Sequence, residues 1–293
     1  MTPERIAAAA QLACLLEASA PKPGNVSPGH PFHDTTFEDF AASAAAIGPA
    51  FLRAGTRSVG DTIVDAVRAT RGWTRANTNL GIVLLLAPLA RAAYVGGPLH
   101  AAVRAVLAAT TVHDAELAYE AIRLAGPGGL GDAPAQDVRE RPTVSLLEAM
   151  RLAAHRDAVA GEWASGYSRT FAIGAPALRA ALEDGLSWGQ ATAEAYLALL
   201  AQVPDTLIAR KLGHDAALEV SRAAAAALAE GGVRTSTGQE HIARLDADLR
   251  DPRNRRNPGA TADLTAAALF VIILERQWPA AGEDRSPSRA GAT

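Results

Sequence analysis

The chain has 293 residues, of which 49% are hydrophobic, 20% are charged and 5% are aromatic, and its formal net charge is −3. It has no long basic run and no basic face rich in aromatic residues, which argues against binding to nucleic acid or to an anionic membrane and favours a small-molecule partner. Abundant alanine with few aromatic residues favours closely packed helices over sheets.

The N-terminus lacks the basic segment and following apolar segment of a signal peptide. The most apolar stretch, LGIVLLLAPLA at 80–90, is shorter than the roughly 18–20 residues that span a bilayer. Cys14 is the single cysteine and cannot form an internal disulfide. We therefore expect a cytoplasmic protein without a membrane span.

Apolar residues recur with helical spacing along almost the whole chain, and capping-box patterns open several of these runs. The predicted helices, in chain order, cover residues 3–19, 36–54, 58–71, 79–94, 99–109, 113–125, 143–160, 174–184, 187–202, 205–231, 236–251 and 259–277. The helix over 205–231 is expected to break at Gly213, because glycine weakens a helix interior. No stretch combines β-branched residues with strict alternation, so no strand is predicted.

The sequence thus predicts an all-α protein with a single large multi-helix catalytic domain of about ten to twelve helices. This domain is expected to span residues 1–278. The remaining residues, 279–293, have no apolar side chain larger than alanine and are predicted to form a disordered tail. Apolar helix faces are compatible with a homodimer, although no heptad seam predicts one.

The first polar interruption is the loop APKPGNVSPGH at 20–30. Its lysine can act as a point charge towards an anion, and its first glycine lets backbone N–H groups approach one. Lys22, Gly24 and Asn25 are therefore candidate ligands of a phosphate group. The alternative is an ordinary connection between helices with a solvated lysine.

Two further titratable candidates follow. His33 lies beside Asp34 at the end of the polar stretch 20–34 that begins with this loop, and it is a candidate catalytic residue, because histidine titrates near neutral pH. Asp61 and Asp65 are four residues apart on one predicted helix face, and Asp61 is a candidate metal ligand. A solvated helix face is the alternative for this pair.

The stretch TRANTNLGIVLLL at 74–86 places Asn77, Thr78 and Asn79 directly before a strongly apolar helix. One of them can serve as an N-cap, but three successive polar side chains together with Arg75 exceed what one cap requires. A buried helix start with spare donors can bind a phosphate or a sugar. These four residues are candidate nucleotide ligands.

Two blocks in the C-terminal half add aspartates. In PDTLIARKLG, Asp205 follows a proline and Lys211 lies near the end of the same helix; a capped helix with surface charges is the alternative. In RNPGATADL, Asn257 and Gly259 lie at the start of a predicted helix in which Asp263 is a charge among apolar residues. A carboxylate in such a place requires a cation, such as Mg²⁺ or an arginine. Lys211, Asn257 and Gly259 are candidate cofactor ligands, and helix capping is the alternative for Asn257.

Taken in order, the blocks PKPGNVSPGH, NTNLG, DTLIARKLG and NPGATADL resemble the triphosphoribosyl-dephospho-CoA synthase family, and the likeness extends over nearly the whole chain. The resemblance implies an all-α enzyme that uses MgATP for glycosyl transfer. In this family a hydroxyl of dephospho-CoA attacks C1′ of the ATP ribose, adenine leaves and the 5-triphosphoribosyl group is transferred. Such a reaction requires a carboxylate near C1′, a base for the hydroxyl and cations for the triphosphate.

The resemblance also implies roles, by matching motif. Lys22 and Asn25 would contact phosphate, and Asn77 and Asn79 would contact nucleotide or sugar. The two aspartates of the C-terminal blocks would hold Mg²⁺ or stabilise C1′, and which one does which stays open.

The citrate-lyase members carry a GVNTHKG-like block where this chain has RANTNLG, so that a His-Lys pair is replaced by Asn79 and Leu80. The stretches NTNLGIVLLLAPLA and NPGATADLTAAALF are similar to the archaeal and methylotroph branch, which tends to occur where tetrahydromethanopterin-linked one-carbon cofactors are made. We therefore expect (tri)phosphoribosyl transfer in cofactor biosynthesis, to a hydroxyl that need not belong to dephospho-CoA. Two alternatives stay open: an N-glycosidase or phosphohydrolase acting on a nucleotide-like substrate, and a non-catalytic helical nucleotide-binding module.

Overall fold

The computed structural model describes residues 1–128 and 133–276, so the predicted tail at 279–293 lies outside the described residues. Within the described ranges the chain forms fifteen α-helices, a π-helical turn at Thr170–Gly174 and a 3₁₀ turn at Gly232–Arg234, and it contains no β-strand. The prediction of an all-α fold is therefore confirmed for this part of the chain.

The helices have the following bounds: α1 Pro3–Ser19, α2 Phe37–Ala46, α3 Gly48–Leu52, α4 Val59–Arg71, α5 Leu80–Val95, α6 Leu99–Ala108, α7 Val112–Ala125, α8 Leu146–Ala153, α9 Ala158–Ser165, α10 Ala175–Glu183, α11 Trp188–Gln202, α12 Thr206–Leu212, α13 His214–Ala229, α14 Ser236–Leu249 and α15 Gly259–Glu275.

There are more helices than predicted because three predicted helices are interrupted. The helix expected over 36–54 divides at Ile47, where Pro49 lies in the first turn of the new helix α3. The helix expected over 143–160 ends early, and Asp157 caps the separate helix α9. The third interruption is at Gly213 (φ +94°), as expected.

The centre of the molecule is built on α5 and α15, whose residues are buried on nearly all sides. Helices that are apolar all round belong in a protein core. Helices α1, α5, α9, α10 and α11 pack against α15. A smaller apolar cluster, which includes Tyr196, Ile208 and Leu245, joins α11 to α12, α13 and α14.

Among the described residues, no single helix is both long enough and apolar enough to cross a membrane. The pair α5 and α6 meets that test only when the two helices are taken together, and they are bent by 112° at the break between them.

The opening loop is fixed against the end of α14. Gly24 has a φ of +72°, and its N–H donates to Oδ1 of Asp246 at 2.7 Å. The side chain of Arg250 donates to the backbone oxygen of Asn25 at 3.0 Å. Asn25 in turn donates through Nδ2 to the hydroxyl of Tyr196 at 2.8 Å. Side chains from α11, α14 and the residue after α14 thus hold the loop in one conformation.

Gly24→Ala should destabilise the protein by about 1–3 kcal/mol, the usual cost of a residue forced into a sparsely populated backbone region. A Cβ at this position would lie 2.7 Å from Cβ of Leu249, which adds a steric clash. Urea unfolding of this variant is compared with that of Gly128→Ala, where an added Cβ meets no atom of the described residues within 4 Å. Equal midpoints for the two variants would contradict this description of the loop.

Candidate active site

The four sequence blocks meet around the N-terminal ends of α5 and α15. Asp263, in the second turn of α15, lies directly against Gly81 in the first turn of α5: a Cβ on that glycine would be 2.1 Å from Oδ2 of the aspartate. Asp205, the N-cap of α12, accepts hydrogen bonds from the backbone N–H and the hydroxyl of Thr261, at 2.7 and 2.8 Å. A Cβ on Gly24, in the opening block, would lie 3.1 Å from Cδ of Pro258.

Asp263 accepts no hydrogen bond from any of the residues that the structure describes. Burial raises its pKa well above the ordinary value; the charges of Glu17, Asp157 and Asp205 raise it further, and Arg210 opposes them. A partly buried carboxylate without donors and beside three acidic groups has a strong demand for positive charge or a proton. Among the site aspartates predicted from the sequence, Asp263 is therefore the one whose carboxylate has no hydrogen-bond donor in the described part of the chain.

Lys22 is turned into the protein. It is 2% exposed, and its Nζ lies 3.0 Å from Oε1 of Glu17 and also donates to that residue's backbone oxygen. The predicted phosphate ligand therefore has a buried ion-pair partner. Sequence reasoning missed Glu17, although it continues the apolar stripe of Ala10, Ala13 and Cys14 on α1, a position where a carboxylate requires a partner.

Asp205 is 1% exposed, and both of its carboxylate oxygens are occupied. Oδ1 accepts from the backbone N–H groups of Leu207 and Ile208, and Oδ2 accepts the two donors of Thr261. Burial raises the pKa of Asp205, and these four hydrogen bonds oppose that rise. Through these hydrogen bonds Asp205 links the start of α12 to the start of α15.

The block at 77–79 is partly structural. Thr78 Oγ1 lies 2.5 Å from the hydroxyl of Ser43, and Asn79 donates through Nδ2 to Oγ1 of Thr70 at 3.0 Å. Asn77 accepts from the backbone N–H of Leu80 at 3.2 Å and is exposed, as is the nearby Arg75. The two buried side chains therefore anchor the loop, and the two exposed ones are free to meet a ligand at the surface.

The segment RDPRNRRNP at 250–258, named here the arginine loop, gathers further candidates. Asn254 contacts two of them: its Nδ2 lies 3.1 Å from Nδ1 of the exposed His33, and its backbone oxygen accepts from Nζ of Lys211 at 3.2 Å. Asn257 has a buried Oδ1 without a partner among the described residues. Gly259 permits a close approach, because a Cβ there would lie 2.8 Å from Cδ2 of Leu207.

Asp61 does not lie near the N-terminal ends of α5 and α15, where the four blocks meet. It completes the capping box of α4, and its Oδ1 accepts from Arg57 at 3.0 Å. The contact between α4 and the 77–79 block is made by Thr70, nine residues further along the helix, which is about 13 Å along the axis.

Two of the three predicted metal ligands, Asp61 and Asp205, are engaged in hydrogen bonds within the protein. Among the described residues, no group of three or more His, Cys, Asp or Glu side chains is placed to hold one. Of the three predicted ligands, Asp263 alone has free oxygens. Mg²⁺ often binds through one or two carboxylates together with substrate phosphates. The donor set therefore fits Mg²⁺ only as part of a nucleotide complex.

Replacing glycine by alanine inside a helix usually stabilises the helix by up to about 1 kcal/mol, but Gly81→Ala should destabilise the protein. The new Cβ would lie 2.4 Å from Cγ of Asp263 and must displace that side chain. We expect lower stability and, because small misplacements near the reacting atoms are costly, a loss of activity of about tenfold or more. The matched control is Gly189→Ala, at the second position of α11, where the nearest atom would be 3.9 Å away. Thermal unfolding and turnover that are unchanged in both variants would contradict the Asp263–Gly81 contact.

Comparisons with known proteins support the family resemblance that the four blocks indicate. The family model described as ATP:dephospho-CoA triphosphoribosyl transferase matches residues 3–281. A protein of Stutzerimonas stutzeri named "Probable 2-(5''-triphosphoribosyl)-3'-dephosphocoenzyme-A synthase" is 28% identical over 296 residues, which cover 95% of this chain and 93% of that protein. A Pseudomonas putida protein of the same name is 34% identical over 106 residues, so that this match spans 36% of the chain and 37% of the relative's length.

The fold is shared with a solved relative. The crystal structure of a proposed triphosphoribosyl-dephospho-CoA synthase from Archaeoglobus fulgidus has a TM-score of 0.64 at 31% sequence identity, and the match covers 80% of this chain and 98% of that one. Because the family model matches nearly the whole sequence, the chain belongs to the ATP:dephospho-CoA triphosphoribosyl transferase family.

Proposed function

We propose that this protein transfers a triphosphoribosyl group from MgATP to an acceptor hydroxyl and releases adenine. In this reaction the bond from C1′ of the ribose to the adenine nitrogen breaks and a bond from C1′ to the acceptor oxygen forms. Family membership supports the reaction class. The observation that carries the proposal is the carboxylate of Asp263, which lies where the four blocks meet and has no hydrogen-bond donor among the described residues.

The chemistry explains why such a carboxylate is useful. As adenine leaves, C1′ gains oxocarbenium character, and an anionic group beside it stabilises the developing positive charge. A carboxylate already saturated by donors, such as Asp205, offers less of this stabilisation. We therefore assign the C1′ role to Asp263 and a structural role to Asp205, with Mg²⁺ arriving as part of the nucleotide substrate.

We further propose that the acceptor differs from that of the citrate-lyase members. At the position of their His-Lys pair this chain has Asn79, which is buried and bonded to Thr70, and Leu80, which is also buried. A charged ligand for acceptor phosphates is therefore lacking at this point. A hydroxyl on a pterin-type precursor is the acceptor class that the sequence likeness favours.

The test is to incubate the protein with MgATP and to follow adenine, ADP and phosphate by chromatography, with no acceptor, with dephospho-CoA and with pterin precursors. We expect adenine release that depends on an acceptor. Adenine without any acceptor would instead support an N-glycosidase. ADP or phosphate would support a phosphohydrolase, and nucleotide binding without turnover would support a binding module.

A further inference from the structure

The triphosphate of the proposed substrate requires cations, and the lysines of the chain do not supply them inside the site. Lys22 and Lys211 are the lysines of this sequence. The first is paired with Glu17 in the interior, and the second is held by the backbone of Asn254 at the surface. Another group of residues must therefore meet most of the phosphate charge.

We propose that the arginine loop, residues 250–258, is a polyphosphate-binding site, with Arg256 as its central ligand and Arg253 and Arg255 at its rim. This extends the proposed function and rests on it for the choice of a phosphorylated ligand. The chemistry that the site recognises is a polyphosphate chain, which either the nucleotide donor or a phosphorylated acceptor can supply.

The side chain of Arg256 has a buried nitrogen without a hydrogen-bond partner among the described residues. It is partly buried, its Nε is fully buried without a partner, and its side chain makes no hydrogen bond or ion pair with the described residues. Burying a guanidinium without an acceptor is costly, so a site of this kind is expected to be completed by an anion. Arg210, on the neighbouring α12, also has a buried Nε without a partner, although its Nη1 donates to Asp157 at 3.0 Å.

The rigidity of the loop is a second argument. The carboxylate of Asp251 accepts the backbone N–H groups of Arg253, Arg255 and Arg256 at 2.9, 2.7 and 2.9 Å. Burial opposes ionisation of Asp251, but these hydrogen bonds outweigh it and keep its pKa below the ordinary value. One ionised side chain thus fixes the backbone of three arginines that lie within four residues of the chain. Arginine forks match phosphate oxygens in geometry as well as charge.

The position of the loop is a third argument. It runs directly into α15, and Asp263 lies about 6 Å along the helix axis from the first residue of that helix. The end of the loop lies close to the first sequence block, since a Cβ on Gly24 would be 3.1 Å from Cδ of Pro258. The next residue, Gly259, lies close to the third block, since a Cβ there would be 2.8 Å from Cδ2 of Leu207. A ribose at Asp263 would therefore have the arginine loop within reach of its phosphate chain.

The charges facing the loop do not neutralise it. Asp251 lies 3.6 Å from Nε of Arg255, and its oxygens are largely used by the backbone. Asp246 is paired with Arg250, which in turn holds Asn25. Asp34 is an exposed acid near Lys211. The three arginines of the proposed site thus face few competing acids.

The experiment measures the affinity of the full chain for inorganic tripolyphosphate by calorimetry, with adenosine, ATP and dephospho-CoA as further ligands. Arg256→Gln should weaken tripolyphosphate binding by about tenfold or more, the effect of losing a charged hydrogen bond, and leave adenosine affinity unchanged. Arg256→Lys should restore part of it. Arg253→Gln, a change at an exposed position, should weaken binding two- to fivefold and tests the site even if Arg256→Gln fails to fold.

The matched control is Arg222→Gln, which removes an exposed arginine on α13. Parent-like tripolyphosphate affinity in both loop variants, or an equal loss in the α13 control, overturns the inference. A loss for ATP alone assigns the site to the donor, and a loss for dephospho-CoA alone assigns it to the acceptor. If the parent releases adenine but the loop variants keep parent-like tripolyphosphate affinity, the arginine loop is rejected as the site and the proposed function stands. If the loop binds tripolyphosphate specifically but no adenine is released, the proposed function is rejected and the site stands.

Discussion

Asp263→Asn should lower the rate of adenine release by about 10²- to 10⁴-fold and leave the protein at least as stable as the parent. The neutral amide cannot stabilise positive charge at C1′, so the chemical step loses its main electrostatic support. Stability is expected to hold because the carboxylate receives no hydrogen bond from the described residues and is disfavoured by burial and acidic neighbours. A residue that destabilises the fold and is needed for turnover is typical of an active site.

The pH dependence has a definite sign. Burial raises the folded-state pKa of Asp263 above its unfolded value. The folded state then binds more protons than the unfolded state, so the stability of the parent falls as pH rises from the ordinary Asp range towards the folded-state pKa. The Asn variant lacks this loss, and the difference in Tm should grow in its favour as the pH rises above the ordinary range of an Asp side chain.

Thermal unfolding in EDTA and steady-state adenine release measure the two effects, with Asp215→Asn as a control at an exposed acid in the first turn of α13. If the variant keeps more than a tenth of the parent rate, Asp263 does not take part in the chemical step. A Tm that falls by several degrees in the variant would show that the carboxylate has stabilising partners.

Lys22→Met should destabilise the protein by about 3–5 kcal/mol, because it leaves the charge of Glu17 buried without its partner. The ammonium and carboxylate side chains are 0% and 4% exposed, so solvent screens the pair little. The double variant with Glu17→Gln should recover a large part of this loss, since no uncompensated charge remains. Urea unfolding of both single variants and the double variant forms a double-mutant cycle. If Lys22→Met unfolds at the parent midpoint, the lysine is instead a solvated residue of the loop.

Much of the fold could be read from the sequence because apolar residues repeat with helical spacing and the apolar segments around Leu85 and Phe270 become the buried core helices. The number of helices could not be predicted, because the end of a helix depends on single capping and helix-breaking residues. Pro49 can start a helix as well as interrupt one, and Asp157 within an apolar pattern gives no sign by itself that it caps a new helix.

Some of the site residues could be predicted from the sequence and others could not, and the physical reason differs from residue to residue. Asp263 could be identified because a charge among apolar residues demands compensation wherever the chain folds. The inward direction of Lys22 depends on Glu17, which precedes it on another element. The full occupation of Asp205 depends on Thr261, 56 residues further along the chain. Capping was the recognised alternative for that aspartate, and the structure shows the capping bonds.

The role of Asp263 is tested most directly by a crystal structure with Mg²⁺ and an ATP analogue whose C1′ bond to the base cannot break. We expect C1′ of the ribose to lie beside the carboxylate of Asp263, at a near-attack separation of about 3–3.5 Å or slightly more, with the triphosphate directed to the arginine loop. A nucleotide bound elsewhere on the helices, or one whose ribose faces away from Asp263, would contradict it.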